Sequence, residues 1–223
     1  MTGFIEPRPD LIASNPGGPD DPLGESVLDP TLPWLRVFEP RDVCIVIGRH
    51  QDPEREARCA EARADAVPVH RRVAGGGAVV LAPGMVVVAA RLRKTHVGTT
   101  SYLELVNGAL APAVASLCGE SPATRGLGDL ALVGQDGVAR KILGASMRQT
   151  ARIVVYLGVF LVSDATALME RYLRSPSREP DYRGGRGHGA FCTHLAARGV
   201  TAAALVATTR SSCTQRLAEH AAV

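Results

Sequence analysis

Arg71-Arg72-Val73-Ala74-Gly75-Gly76-Gly77-Ala78-Val79-Val80 sets a basic pair ahead of three consecutive glycines and an apolar β-branched run. Glycine lacks Cβ, so its backbone can take positive φ and lie flat against a ligand. Its N–H groups are then free to face an anion, as in backbone nests. A second segment, Gly137-Val138-Ala139-Arg140-Lys141-Ile142-Leu143-Gly144-Ala145-Ser146, carries the only lysine after Lys94. A lysine among small and apolar residues either snorkels to the surface or aims a point charge at a ligand. The two segments together suggest a site for an anionic or phosphorylated small molecule.

Each residue also has a plainer reading. Three glycines between β-like runs form hairpin turns or flexible loops, and most lysines are solvated. Arg71 and Arg72 alternate across a strand, so one would face the site and the other solvent. Asp136 suits a turn. Ser146 suits either a ligand contact or a hairpin cap.

The order of these motifs resembles the lipoate–protein ligase family, within the wider group of biotin/lipoate ligases and octanoyltransferases. Arg71-Arg72-x-x-Gly75-Gly76-Gly77-x-Val79 looks like that family's lipoate-binding loop, and Gly48-Arg49-His50-Gln51-Asp52-Pro53 resembles its upstream Gly-x-x-Gln-x-Pro segment. Gly128-Asp129-Leu130 stands where the family has an Asn-Asp-hydrophobic strand. Lys141-x-x-Gly144-x-Ser146 looks like its catalytic lysine motif, and Tyr156-Leu157-Gly158 falls where many members have His-His-Gly. The likeness runs from about Arg41 to Leu195. The chain departs from it at Leu81-Ala82-Pro83-Gly84-Met85, where many members have a His-Asp pair, and at Gly128, where they have asparagine.

The resemblance implies an ATP-dependent ligase that forms an acyl-adenylate from lipoate, or octanoate, and passes it to a lysine of a lipoyl-domain acceptor. It assigns Arg71, Arg72, Gly75, Gly76, Gly77, Ala78 and Val79 to lipoate, and Asp129, Lys141, Gly144 and Ser146 to the nucleotide. Lys141 would be catalytic, and Asp129 would read the nucleotide or hold Mg²⁺. The chemistry itself is general. A carboxylate is a poor acyl donor, and joining it to AMP supplies a good leaving group. The protein must then hold a carboxylate and an α-phosphate together, a task suited to a glycine loop and one fixed cation. Ala78, Val79 and Val80 would help line an apolar tunnel, where each buried methylene is worth roughly 0.8 kcal/mol.

Composition sets the frame. A chain of 223 residues with 46% hydrophobic residues can bury one sizeable core. A net charge of +3 is mild and does not imply a polyanion-binding surface, and no nucleic-acid partner is expected. Five scattered cysteines without a C-x-x-C pair argue for a reducing, cytoplasmic setting and against a zinc site. The six histidines show no metal-ligand spacing. The N-terminus does not read as a signal peptide, and the longest apolar run, Ile153 to Val162, is too short to span a membrane.

The pattern predicts an extended N-terminal arm over residues 1–33, rich in Pro, Gly and Asp, and a catalytic domain over 34–223. An edge strand is expected at Trp34–Phe38 and a buried one at Val43–Ile47. A helix from Glu54 to Ala66 follows, then strands at Val69–Val73, Ala78–Leu81 and Met85–Leu92, the first two joined by the glycine loop. Ser101 and Glu104 read as a capping box for a helix through Leu117. Asp129–Val133 and Val138–Leu143 form a hairpin, Arg152–Val162 a central strand, Ala165–Leu173 a helix, and the end is helical. This gives an α+β (mixed α/β) fold with a largely antiparallel sheet flanked by helices, in agreement with the synthetase-like fold the resemblance implies. No C-terminal accessory domain of the kind found in many bacterial ligases is expected, so either the enzyme manages without it or a separate accessory subunit supplies its role.

Two segments keep other readings open. Cys192, in Ala190-Phe191-Cys192-Thr193-His194, lies broadly where thiol-dependent octanoyltransferases and amidotransferases carry their nucleophile, but its neighbours suit a packed structural cysteine. A non-catalytic lipoate-binding subunit is a third reading, against which Lys141 argues. The segment from Ser177 to His188, with Arg183 and Arg186, reads as a basic lid, a docking site for an acidic acceptor, or a surface loop.

Overall fold

The computed structural model describes residues 12, 13, 15, 21–95 and 98–222, so most of the expected N-terminal arm, together with His96, lies outside the described residues. Among the described residues, nine strands form two sheets. The larger is built from β1 (Leu35–Phe38), β5 (Met85–Arg93), β9 (Ile153–Leu161), β8 (Ala139–Gln149), β7 (Asp129–Val133) and β6 (Ala123–Arg125), in that spatial order. Every pairing in it is antiparallel, as the α+β reading expects.

Alternation along the strands decides what each face meets. Val86, Val88, Ala90 and Leu92 of β5, with Val154, Tyr156 and Phe160 of β9, pack on Leu103, Val106 and Leu110 of α3 (Thr100–Cys118) and Leu205 and Leu217 of α6 (Ala202–Leu217). The opposite face receives a smaller sheet of β3 (Val69–Arg71), β2 (Cys44–Ile47) and β4 (Val79–Leu81), with β2 in the centre. Residues 21–33 also cover that side. Leu23 and Val27 are buried, and Arg91 donates to the carbonyls of Val27 and Asp29.

The glycine segment is not the hairpin turn that its plainer reading expects. β2 runs parallel to β3 and antiparallel to β4, so the chain from Arg72 to Ala78 must cross the C-terminal end of β2 to reach its other edge. That crossing needs close backbone contact. A Cβ on Gly48, just after β2, would lie 2.2 Å from the Gly76 carbonyl oxygen. Gly76 has φ +91°, a conformation open to glycine.

Several expectations are corrected. The helix expected from Glu54 to Ala66 is two pieces, α1 (Pro53–Glu56) and α2 (Cys59–Ala64). Ala57 between them is extended and bridges Leu173, which follows α4 (Thr166–Tyr172). The capping box at Ser101 does not form. The helix starts at Thr100, and its cap residue, Thr99, has helical dihedrals and no side-chain cap bond. β8 extends to Gln149, six residues beyond the expected end, because its second half pairs with β9. β6 is not expected from the sequence, and the segment from Ser177 to His188 holds a 3-10 turn at Asp181–Arg183 and the start of α5 (His188–Phe191).

The tight crossing yields a stability prediction. Gly48→Ala drives a methyl into the Gly76 carbonyl, so denaturant titration should show a loss of about 1–3 kcal/mol, as for overpacked sites. Wild-type stability would mean that the crossing loop moves aside freely.

Candidate active site

In a regular strand, residues three apart point to opposite faces. β8 escapes that rule through a bulge: Leu143 pairs with Leu130 while Lys141 pairs with Ala131, leaving Ile142 as an extra residue. Ile142 and Leu143 accordingly both enter the core under the helices. Lys141 and Gly144 are thereby brought together on the other face. A Cβ on Gly144 would lie 2.7 Å from the Lys141 Nζ and Cε. The Lys-x-x-Gly spacing is thus a lysine and the space for its ammonium.

Asp129, at the start of β7, holds that ammonium with Oδ1 2.9 Å from Nζ. Its other oxygen, Oδ2, accepts the Tyr182 hydroxyl at 2.8 Å. Burial, and then the negative charge of Asp129, push the Tyr182 phenol well above its ordinary range, so it stays a hydrogen-bond donor. Tyr182 rests on Phe191, with ring centroids 5.0 Å apart. Arg183 and Arg186 lie over the same Phe191 ring at 4.9 and 5.4 Å. Lys141 Nζ stands 6.0 Å from its centroid. One aromatic ring therefore carries three cations beside the lysine's carboxylate.

Below Lys141 opens a cleft of about 100 Å³. Ala78 and Val79 enter its wall from the end of the glycine loop, Val159 and Leu161 from β9, and Met169 and Leu173 from α4 and its end. Cys192 also lines it. Burial raises that thiol above its usual range, against the opposing charges of Lys141 and Arg183, which favours the neutral SH. His188 is shifted the other way: burial and then Arg183 favour its neutral form.

The residues assigned from the sequence therefore separate into groups. Ala78, Val79, Lys141, Gly144 and Arg183 line the cleft, and Asp129 sits beside it on Lys141. Gly75, Gly76, Gly77 and Ser146 do not line it. Ser146 adjoins the loop, since a Cβ on Gly76 would come within 3.4 Å of its Cβ. Both arginines of the pair are engaged by backbone carbonyls, Arg71 partly exposed and Arg72 buried. Arg71 donates to the carbonyls of Gly48, Arg49 and Gln51. Arg72 is buried and donates to those of Gly75 and Gly77. Burial lowers its pKa to about 10, and Glu25 opposes the shift. Both guanidiniums shape the loop in this structure. Arg186 donates to the carbonyls of Ala139, Tyr182, Arg183 and Ala190, tying the 177–191 segment to the start of β8. Tyr182 was missed from sequence, as no motif joins it to Asp129 across 53 residues.

The fit to Mg²⁺ is poor. Both oxygens of Asp129 have partners in Lys141 and Tyr182, and no cluster of three or more metal-ligating side chains occurs among the described residues. These side chains do not form a protein-built cage for Mg²⁺.

The model of the lipoyl protein ligase A/B catalytic domain matches residues 21–208. The chain belongs to that family. A bipartite lipoate protein ligase from Thermoplasma acidophilum, studied with its E2 lipoyl domain, is 16% identical, with a TM-score of 0.76 over 91% of this chain and 81% of that one. Lipoate-protein ligase A bound with ATP is 17% identical, with a TM-score of 0.71 over 93% and 85%. P. falciparum LipL1 in complex with lipoate is 20% identical, with a TM-score of 0.64 over 83% and 50%. At these identities the likeness establishes a shared fold, and the lipoyl ligase domain reading rests on the family match.

The bond from Tyr182 to Asp129 yields a test of the covering segment. A hydrogen bond to a charged group contributes about 1.5–3 kcal/mol. Tyr182→Phe should therefore raise amide exchange across residues 179–187 by tenfold or more, on the order of that loss. Unchanged exchange would show that Phe191 stacking alone holds the segment.

Proposed function

We propose that this chain is an ATP-dependent lipoate–protein ligase that activates lipoate, or octanoate less well, as an acyl-adenylate. One observation carries the reading. The Lys141 ammonium is fixed by Asp129 at an apolar cleft, with Gly144 leaving the space it occupies. In the first step a carboxylate oxygen attacks the α-phosphorus of ATP, the α–β P–O bond breaks, and pyrophosphate leaves. Lys141 offsets the negative charge shared by the acyl carbonyl and the phosphate. Asp129 sets the ammonium's position and Tyr182 sets the carboxylate's, so the cation needs little reorganisation. In the second step the neutral amine of an acceptor lysine attacks the carbonyl, a C–N bond forms, AMP leaves with the electron pair of the broken C–O bond, and the amine's proton passes to solvent.

The glycine loop, which lies beside the cleft rather than in its lining, belongs to the proposal as the segment that Arg71 and Arg72 brace so that the backbone of Gly75, Gly76 and Gly77 can meet the ligand's anionic end, with Ser146 next to Gly76. Arg183 and Arg186 would act as a lid held over the adenylate. Any Mg²⁺ would arrive on the nucleotide's phosphates, as such sites commonly hold it. The acceptor is taken to be a lipoyl domain, and a separate accessory subunit is part of the reading, supported by the bipartite Thermoplasma system. Five free cysteines fit a reducing, cytoplasmic compartment. Among the described residues no helix is long and apolar enough to cross a membrane. Full turnover by the purified chain with an acceptor domain would remove the accessory subunit from the proposal.

ATP–pyrophosphate exchange tests the first step. Lys141→Ala should lower it by a hundredfold or more, on the order of 3 kcal/mol, as loss of one oxyanion donor does. Lys141→Arg should recover little, since a planar fork does not replace a compact charge. Gly144→Ala should also fall by roughly a hundredfold while folding normally, because the added methyl displaces the ammonium by about 1 Å. Robust exchange in Lys141→Ala would overturn the reading.

Cys192 gives the rival. It lines the same cleft, so a thioester-forming transferase would place its acyl group there. Intact-mass analysis after incubation with an octanoyl thioester should show no adduct on Cys192. A trapped thioester without pyrophosphate exchange would move the assignment to a transferase.

A further inference from the structure

A second, half-open pocket of about 270 Å³ adjoins the acyl cleft. Leu161, Met169 and Cys192 line both spaces, so these three side chains form the wall between them. The two sides differ in chemistry. The cleft side is lined by Ala78, Val79, Val80 and Val159, whereas Ser163, Asp164, Thr166, Thr193 and His194 line the far side. His194 Nδ1 is buried without a hydrogen-bond partner among the described residues. Asp164 accepts the Thr166 N–H at 2.9 Å. Of the wall residues, Leu161 is fixed in a central strand by pairing with Met85. Met169 is on a seven-residue helix, and its unbranched thioether can change rotamer at little cost.

We infer that Met169, with Cys192, is the residue that limits how long an acyl acid this cleft accepts, and that the adjoining pocket takes the polar far end of a longer ω-hydroxy acid once the wall is opened. The inference rests on the reading of the cleft as an acyl site. An acid held by its carboxylate near Lys141 runs along Ala78, Val79 and Val159 toward the wall. Up to that point each added methylene gains about fourfold in affinity. Beyond it a chain must displace Met169, and a hydroxyl at its end would then reach polar partners that a methyl end would leave unpaired.

The test measures binding of octanoate and 12-hydroxydodecanoate by calorimetry, with no nucleotide present. Wild-type protein should bind octanoate and bind the longer acid at least about tenfold more weakly. Met169→Ala should raise the ratio of 12-hydroxydodecanoate to octanoate affinity by about tenfold or more, the gain expected from burying two or more further methylenes. Cys192→Ala thins the same wall from α5's end and should move the ratio in the same direction, which decides the matter if the first variant does not fold. Parallel weakening of both acids, an unchanged ratio in a folded variant, or equal wild-type binding would each overturn the inference. A wild-type chain that binds neither acid would overturn the acyl-site reading together with it.

Discussion

Everything at the site depends on one extra residue in a strand. Without the bulge at Ile142, Lys141 and Gly144 would face opposite sides of β8. With it, two consecutive apolar side chains enter the helix-covered core, while the lysine and the glycine share the face that meets the cleft. The position of the cation is thereby set by core packing. Ile142 and Leu143 are both fully buried, and a shift of β8 that spared them would have to break the pairing with β7 and β9. The ion pair with Asp129 then refines a position that the backbone has already chosen.

The smaller sheet supplies the second constraint. Because β2 lies between β3 and β4, the glycine segment has to travel across a strand end rather than turn back beside its own strand. Arg71 holds that path by donating to carbonyls of the segment after β2 and Arg72 by donating to carbonyls within the path itself, and Glu25 from the N-terminal segment accepts the Val73 N–H at 2.5 Å. Burial of Glu25 raises its pKa, with the nearby Arg72 charge working against that rise. The loop is thus braced by charged groups whose partners are mainly backbone atoms, which leaves Ala78 and Val79 pointed at the cleft.

Much of this was legible in the sequence where the signal is local. Val43–Ile47 and Met85–Leu92 are runs too apolar to be anything but buried, and Lys141 is conspicuous among small residues. The failures come where distant parts of the chain decide. Ala57 leaves its helix to pair with Leu173, more than 100 residues away. β6 is three residues long and exists only as a partner of β7. Ser101 has the residue pattern of a cap, yet the helix begins one residue earlier. The role of Tyr182 depends on a fold that brings residue 182 to residue 129, and the arginine pair looked available to a ligand because the carbonyls around it have no sequence signature.

The near absence of lysine has its own consequence. Of the 25 Lys and Arg residues, only Lys94 and Lys141 are lysine. Lys94 donates to the Thr150 carbonyl at 3.2 Å, and Lys141 sits against Asp129. The rest of those 25 side chains are guanidiniums, which keep their proton and so have no free electron pair to attack with. A protein that handled an activated acyl group would therefore offer it few amines of its own, and an incoming amine from another molecule would meet little competition.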